Sequence, residues 1–275
     1  MRSTSDRGRV EILKNRKIDI AQGDLKERTT LDAACAGVTT VISTASSTLS
    51  RQVGDSIETV DRQGQLNLVE AAKAAGVRHF VFISFPPSAV DFPLDRAKRA
   101  VEQRLQGSGL AYTILWPTFF SEVWLSPALG FDAANAKVRI YGLGQNKISW
   151  ISYLDVAAFA AACVDSTSAH NKVIPLGGPE ALSPLEVIKT FEEVARRTFA
   201  VEQVEDDVLC ARKDAATDSL SESFAALMLS AAHGDTIDMT EARNLFPSIV
   251  GNLTSVREYA KRSLDLSSGA AAVPA

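Results

Sequence analysis

The sequence predicts an α/β protein built on a parallel sheet with helices on both faces. Continuous β-branched and aromatic runs recur, VTTVIST at 38–44, HFVFISF at 79–85 and AYTILWP at 111–117. Runs without polar alternation belong to strands buried on both sides. Helical patterns separate them, over 57–75 and 94–105, and parallel neighbours need such crossovers. Glycines then close the helices, at Gly37, at Gly76 and in the GSG of 107–109, where a left-handed cap or a break ends the turn.

Each element has its own local cause. Lys17–Ala21 alternates and ends in Gly23-Asp24, as a strand leaving a sheet would. TTLD at 29–32 matches a capping box for the helix that closes at Gly37. The 94–105 helix puts Leu94, Ala97, Val101 and Leu105 on one face, after the proline-interrupted loop FPPSAVDFP. Farther on, KVRIYG (137–142) and KISWIS (147–152) read as strands around the turn GLGQN. SYLD caps a helix over 154–164, and KVIPLGG (172–178) is a further strand. SPLE at 183–186 combines a serine cap, proline at the first helical position and a capping-box glutamate, opening a helix over 184–197. Residues 235–264 read as two short closing helices, and SSGAAAVPA as a frayed tail.

Composition sets the function classes. With 275 residues, 46% hydrophobic and 23% charged, the chain is an ordinary globular protein. A net charge of −4 argues against nucleic acid as the main partner. The basic cluster Arg2, Arg7, Arg9, Lys14, Arg16 and Lys17 is followed by no apolar stretch and is no secretory signal. The longest apolar run, 156–164, is too short to span a membrane. Cys35, Cys163 and Cys210 lack pairing or ligand spacing and read as buried hydrophobes in a reducing compartment. His79, His170 and His233 are isolated, so no metal is expected. No G-x-S-x-G elbow and no glycine-rich phosphate loop occurs. The expectation is a soluble, cytoplasmic protein with a small-molecule substrate.

Doubly wound sheets bind ligands beyond the carboxyl ends of their strands. The candidates there are Asp24 and Leu25, then Ser43, Thr44 and Ala45, then Ser84 and Phe85, then Pro117, Thr118 and Phe119. Small hydroxyl residues let a cofactor approach the backbone, although the same residues also simply terminate strands. Lys98 lies beside the apolar face of its helix with Glu102 four residues on; on local sequence alone it is a solvated lysine.

Five segments in order, GDLKERTTLDAACAGVTTVIST, GQLNLVEAAKAAGVRHFVFIS, RAKRAVEQRLQGSGLAYTILWPTFF, ISWISYLDVAAFA and VIPLGGPEALSPLEVI, resemble the NmrA-like branch of the atypical short-chain dehydrogenase/reductases. The resemblance implies a Rossmann-like doubly wound sheet binding NADPH in preference to NADH, and a smaller α+β part over the substrate. It implies a boundary near residue 130, the helix of 152–164 packing back on the first part, a covering part over 131–265 and a flexible tail over 266–275. It also implies that a first βαβ unit of roughly 30 residues, with its glycine-rich turn, is missing ahead of this chain. Arg2 and Ser3 would then end the second strand, where the family meets the 2′-phosphate. Two sheet edges would be exposed unless 17–21 paired with VTTVIST or another chain filled the gap, so a homo-oligomer or protein partner is an expectation.

The superfamily's Tyr-x-x-x-Lys with an upstream serine is matched by Ser84 and Lys98, but Leu94 occupies the tyrosine position. The resemblance assigns Lys98 to the nicotinamide ribose and to proton relay. It places Phe120 and Trp124 with Phe119 on the substrate side, suited to a flat apolar quinone or carbonyl; core packing is the other reading of these aromatics. Two rivals stand beside a reductase: a non-catalytic dinucleotide-responsive regulator and an inactive truncated remnant.

Overall fold

The computed structural model describes residue 2 and residues 5–48 and 51–270. Helices α1 (Arg7–Asn15) and α2 (Arg28–Cys35) precede strand β1 (Thr40–Ser43). A π-helical segment, Ile57–Arg62, runs directly into α3 (Gln63–Ala74), followed by β2 (His79–Ile83), α4 (Pro93–Gln106) and β3 (Ala111–Pro117). The short elements α5 (Ser121–Trp124), β4 (Phe131–Asp132) and β5 (Lys137–Tyr141) lead to α6 (Tyr153–Asp165), β6 (Lys172–Leu176) and α7 (Pro184–Ala195). Then come β7 (Ala200–Val204), α8 (Asp206–Asp214), α9 (Ser219–His233), α10 (Thr240–Leu245), α11 (Pro247–Val250) and α12 (Val256–Ala270).

The main sheet is parallel, in the order β1-β2-β3-β6, with Val81 opposite Thr113 and Leu115 opposite Ile174. Period two divides its side chains between two cores. Phe80, Phe82 and Ile114 meet Leu31, Val69 and Val101 of α2, α3 and α4. Val81 and Leu115 point the other way, to Val156 and Phe159 of α6 and to Phe246. Phe80 and Phe82 are wholly buried, and each such ring contributes about 2–3 kcal/mol of hydrophobic stabilisation. The second sheet, β4-β5-β7, packs Phe131, Val138 and Ile140 against Phe191 of α7 and Val256 of α12. Helix α9 closes the molecule over α4, with Ser223 Oγ accepting from the Leu94 amide at 3.1 Å and Ala226 packed among Ile57, Phe92 and Ala97.

Several expectations change. Residues 17–21 form no strand: Lys17 has φ +57° and residues 18–24 carry no regular element, so β1 is the edge of the described sheet. Residues 147–152 make isolated bridges to Leu182, Asp235 and Phe120 in place of a strand. The TTLD capping box does not form; Thr30 Oγ1 accepts from the Asp24 amide and donates to Glu27 O instead. Helices α1, α8 and α9 had no sequence expectation, and three helices, not two, occupy 240–270. Helix α12 carries the backbone through residue 270, so the expected tail is helical as far as it is described.

Other expectations hold. Ser183 and Glu186 form the capping box of α7 with Pro184 at the first turn, and Gly37 and Gly76 have φ +73° and +72°. Two glycines are required by close approach. A Cβ on Gly178 would fall on the carbonyl oxygen of Trp150, and one on Gly64 would sit 2.8 Å from Leu25 Cβ. Among the described residues no helix is long and apolar enough to cross a membrane.

Candidate functional site

The carboxyl ends of β2 and β3 open into a cavity of about 490 Å³, and Thr44 beyond β1 lines it too. Its floor is Lys98 on α4, only 6% exposed. Nζ donates to Ile83 O at 3.1 Å and stands 4.8 Å from the Phe82 ring centroid. An ammonium has three N–H donors, and one of them is used on the strand end. Burial pushes the Lys98 ammonium down from its ordinary value, while the negative charges of Asp61 and Glu102 oppose that shift. Asp61, itself fully buried, accepts from the Ser47 amide at 3.0 Å and from Ser47 Oγ at 2.5 Å, and its other oxygen has no hydrogen-bond partner among the described residues. The π-helical segment brings Asp61 to this position, so a wide turn of helix sets the counter-charge of the site.

Glu102, the residue expected beside Lys98, bonds elsewhere. It accepts from Trp116 Nε1 at 2.8 Å and from Arg99 Nη1 at 2.7 Å. Arg99 lies over the rings of Phe85 and Trp116 and donates to Phe85 O at 2.6 Å and Ser84 Oγ at 3.1 Å. Burial pushes the Glu102 carboxyl up, and the nearby Ser84 hydroxyl and Arg99 oppose that shift. Ser84 therefore lines the cavity with its oxygen accepting from Arg99.

The walls are apolar. Phe85, Phe92, Phe119, Phe120, Trp124 and Phe224 line the cavity, with Phe119 edge-on to Trp124 at 4.7 Å. Leu94 lines the wall at the tyrosine position. On the side covered by α9, the loop after that helix adds Asp235. Its backbone is fixed by bonds to Lys147 O and from the Ser149 amide, but among the described residues no hydrogen bond reaches its carboxylate. Burial pushes that carboxyl up to about 6. The lining's remaining titratable group, His233, is exposed and lies 3.4 Å from Asp206.

The expected site residues divide. Thr44, Ser84, Phe85, Lys98, Pro117, Thr118, Phe119, Phe120 and Trp124 share this cavity. Ser43, Asp24, Leu25, Ala45 and Arg2 do not. Ser43 Oγ donates to Gln65 at 2.7 Å, and Gln65 Nε2 donates to Ala45 O. Asp24 caps the turn at Lys26, and Leu25 packs on the α2–α3 core. Arg2 donates to Asp55 at 2.6 Å, a carboxylate also bound by Lys26 at 2.7 Å. Its guanidinium is thus spent on an internal ion pair. Ser3 lies outside the described residues. Ser46 and Thr48 extend the hydroxyl rim of Thr44, and their hydroxyls are 3.1 Å apart. The sequence reading missed the α9 wall and Asp235; the Asp218 cap ahead of SLSESFAALMLSAAH and the Gly-Asp after it were the available signals.

A parallel sheet with helices on both faces and a cavity at the carboxyl ends of its strands is the architecture of the doubly wound α/β class. The profile of the NmrA-like family matches residues 1–260, and the chain belongs to that family. It is 34% identical over 195 residues to an NAD(P)H azoreductase of Xenophilus azovorans, the match covering 70% of this chain and 64% of the relative. It is 29% identical over 201 residues to a photosystem II assembly factor of Trieres chinensis, covering 71% and 61%. The matches thus span less than two thirds of either relative's length. Among solved structures, an NADPH-dependent quinone oxidoreductase of Escherichia coli in complex with NADPH superposes with a TM-score of 0.73 at 23% identity, over 94% of this chain and 88% of that one. The fold is therefore the Rossmann-like one. Among the described residues no three metal-ligating side chains cluster.

Proposed function

We propose that this protein is an NADPH-dependent reductase delivering hydride to a small, flat acceptor such as a quinone, a carbonyl or an azo compound. The observation that carries the proposal is Lys98, a buried lysine whose one hydrogen bond among the described residues goes to Ile83 O, on the floor of an aromatic-walled cavity at the strand ends. The related azoreductase and the superposed quinone oxidoreductase support it.

The nicotinamide end of the cofactor fits the residues present. Lys98 and the hydroxyls of Thr44, Ser46 and Thr48 form a donor set for ribose and amide groups. No glycine-rich turn occurs in the sequence to receive the pyrophosphate by backbone amides, and Arg2 is engaged with Asp55. NADPH, when bound, supplies the hydride. The chain supplies the rest: Lys98 holds a ribose hydroxyl, Phe119 and Trp124 orient a flat ring, and α9 excludes water from the reacting face. On this reading residues 1–130 with α6 form the cofactor part and 131–265 the covering part.

The test is steady-state NADPH oxidation with a panel of quinones and azo dyes, beside an NADPH titration. Lys98→Met is expected to lower kcat/KM by about a hundredfold or more. Full activity in that variant would sink the assignment. Saturable NADPH binding without turnover on any acceptor would favour a dinucleotide-responsive regulator, a reading to which the similarity to an assembly factor gives some footing.

A further inference from the structure

Forming an alcohol from a carbonyl takes a proton as well as a hydride. The groups lining the cavity narrow the choice of donor. Alcohol hydroxyls hold their protons too tightly near neutral pH to serve as acids. His233 is exposed and lies 3.4 Å from Asp206. Lys98 is on the floor at the strand ends, bonded to Ile83 O and beside the charge of Asp61, where the ribose is assigned. Asp235 is the only carboxyl group among the described residues of the lining.

The backbone of Asp235 is fixed and its side chain is left over. Its amide donates to Lys147 O at 3.0 Å, and its carbonyl accepts from the Ser149 amide at 2.9 Å. Thr118, the residue after β3, donates to Ser149 O, so the 147–149 segment ties Asp235 to the strand end. Gly234 makes the approach possible, with φ +82° and no room for a Cβ against Lys147 O. Among the described residues no hydrogen bond reaches the Asp235 carboxyl. The Lys147 ammonium lies 3.8 Å from Glu186.

We infer that Asp235 is the general acid of the reduction, giving its proton to the oxygen of a neutral carbonyl acceptor. This rests on the reductase reading. A C–H bond of the dihydronicotinamide breaks, and its electron pair forms a C–H bond at the carbonyl carbon. The π pair of the C=O bond takes the proton from the Asp235 carboxyl. The cofactor leaves oxidised, the acceptor leaves as an alcohol, and the Asp235 carboxylate regains a proton from water. Burial, with no neighbouring charge contributing, holds the carboxyl at about 6. An acid near the working pH is the efficient one.

The first arm of the test needs no cofactor. N-methylacridone, a flat neutral ring system with a carbonyl acceptor and no N–H, is titrated into the 275-residue chain, following its fluorescence. Binding is expected to be about three- to tenfold tighter at pH 5 than at pH 8, the worth of one hydrogen bond from the neutral carboxyl. Asp235→Asn is expected to remove that difference and Asp235→Glu to keep it, with circular dichroism confirming that each is folded. Should the Asn variant fail to fold, the wild-type pH series and the Glu variant decide. The second arm follows NADPH oxidation with a neutral aromatic ketone. Wild-type kcat is expected to fall about tenfold per pH unit above pH 7, and Asp235→Asn to run about a hundredfold lower at pH 6 with a flat profile. No probe binding, equal affinity at the two pH values, a pH dependence that survives in Asp235→Asn, or a kcat profile unchanged by that substitution overturns the assignment. The two readings fail separately. Turnover that is indifferent to Asp235 fails this inference alone, whereas no turnover on any acceptor fails the reductase reading and the catalytic role with it.

Discussion

Asp55 and Asp235 are carboxylates withdrawn from solvent in opposite electrostatic settings. Asp55, in the loop before the π-helical segment, has a side chain only 1% exposed and accepts from Arg2, Lys26 and the Gln52 amide. Burial alone would raise its carboxyl, but the bonds from Lys26 and Arg2 overcome this and hold it at about 2. Asp235 has burial with no hydrogen bond to its carboxylate among the described residues, and stands at about 6. The difference separates two uses of a buried charge. A satisfied carboxylate ties segments together, here the amino-terminal residues to the 51–55 loop. An unsatisfied one weakens the fold.

The comparison makes opposite predictions for pH and stability. Asp235 has a folded pKa above its unfolded one, so the folded state binds its proton more tightly and stability falls as pH rises from about 4 to about 6. Asp235→Asn is therefore expected to raise unfolding free energy by about 2 kcal/mol at pH 8, allowing for partial exposure, and to change little at pH 4. Denaturant melts at the two pH values measure this, and a loss of stability at pH 8 would break the comparison.

Asp55 behaves in reverse. Its contribution is fully present above the unfolded value near 4 and is lost as pH falls towards 2. Asp55→Asn should cost about 1–2 kcal/mol at pH 7, less than an enclosed pair because Arg2 and Lys26 remain part-exposed. The deficit should narrow in melts below pH 3. A deficit independent of pH would mean that packing, not charge, explains the site.

The smallest expected effect sharpens the role of Ser84. With its oxygen accepting from Arg99, Ser84→Ala should change kcat by less than about threefold, against the hundredfold or more of a residue acting on the reacting group. A drop as large as that of Lys98→Met would show that the hydroxyl turns to the substrate during turnover.

Legibility in the sequence followed the range of the forces. The strands at 79–83, 111–117 and 172–176 were legible because burial on both faces demands unbroken apolar runs. The α7 capping box was legible because it is complete within four residues. The 17–21 segment misled: its alternation suits a strand, but Lys17 takes φ +57° and the segment forms none. Lys98 was visible only through the family resemblance; by its helix alone it is a surface residue, and its burial comes from Ile83, Phe82 and Asp61, none of them within its own helix. Arg2 looked available for a phosphate because Asp55, its partner, stands 53 residues away.

The sequence by itself determined the α/β class, the order of the buried strands and the aromatic residues around 119–124, because these rest on local patterns of burial and turn chemistry. Only the tertiary structure decided which charges are paired. Ion pairing depends on distance in space, and neither Asp61 beneath Lys98 nor the solitude of Asp235 beside Ser149 is written in any short stretch of chain.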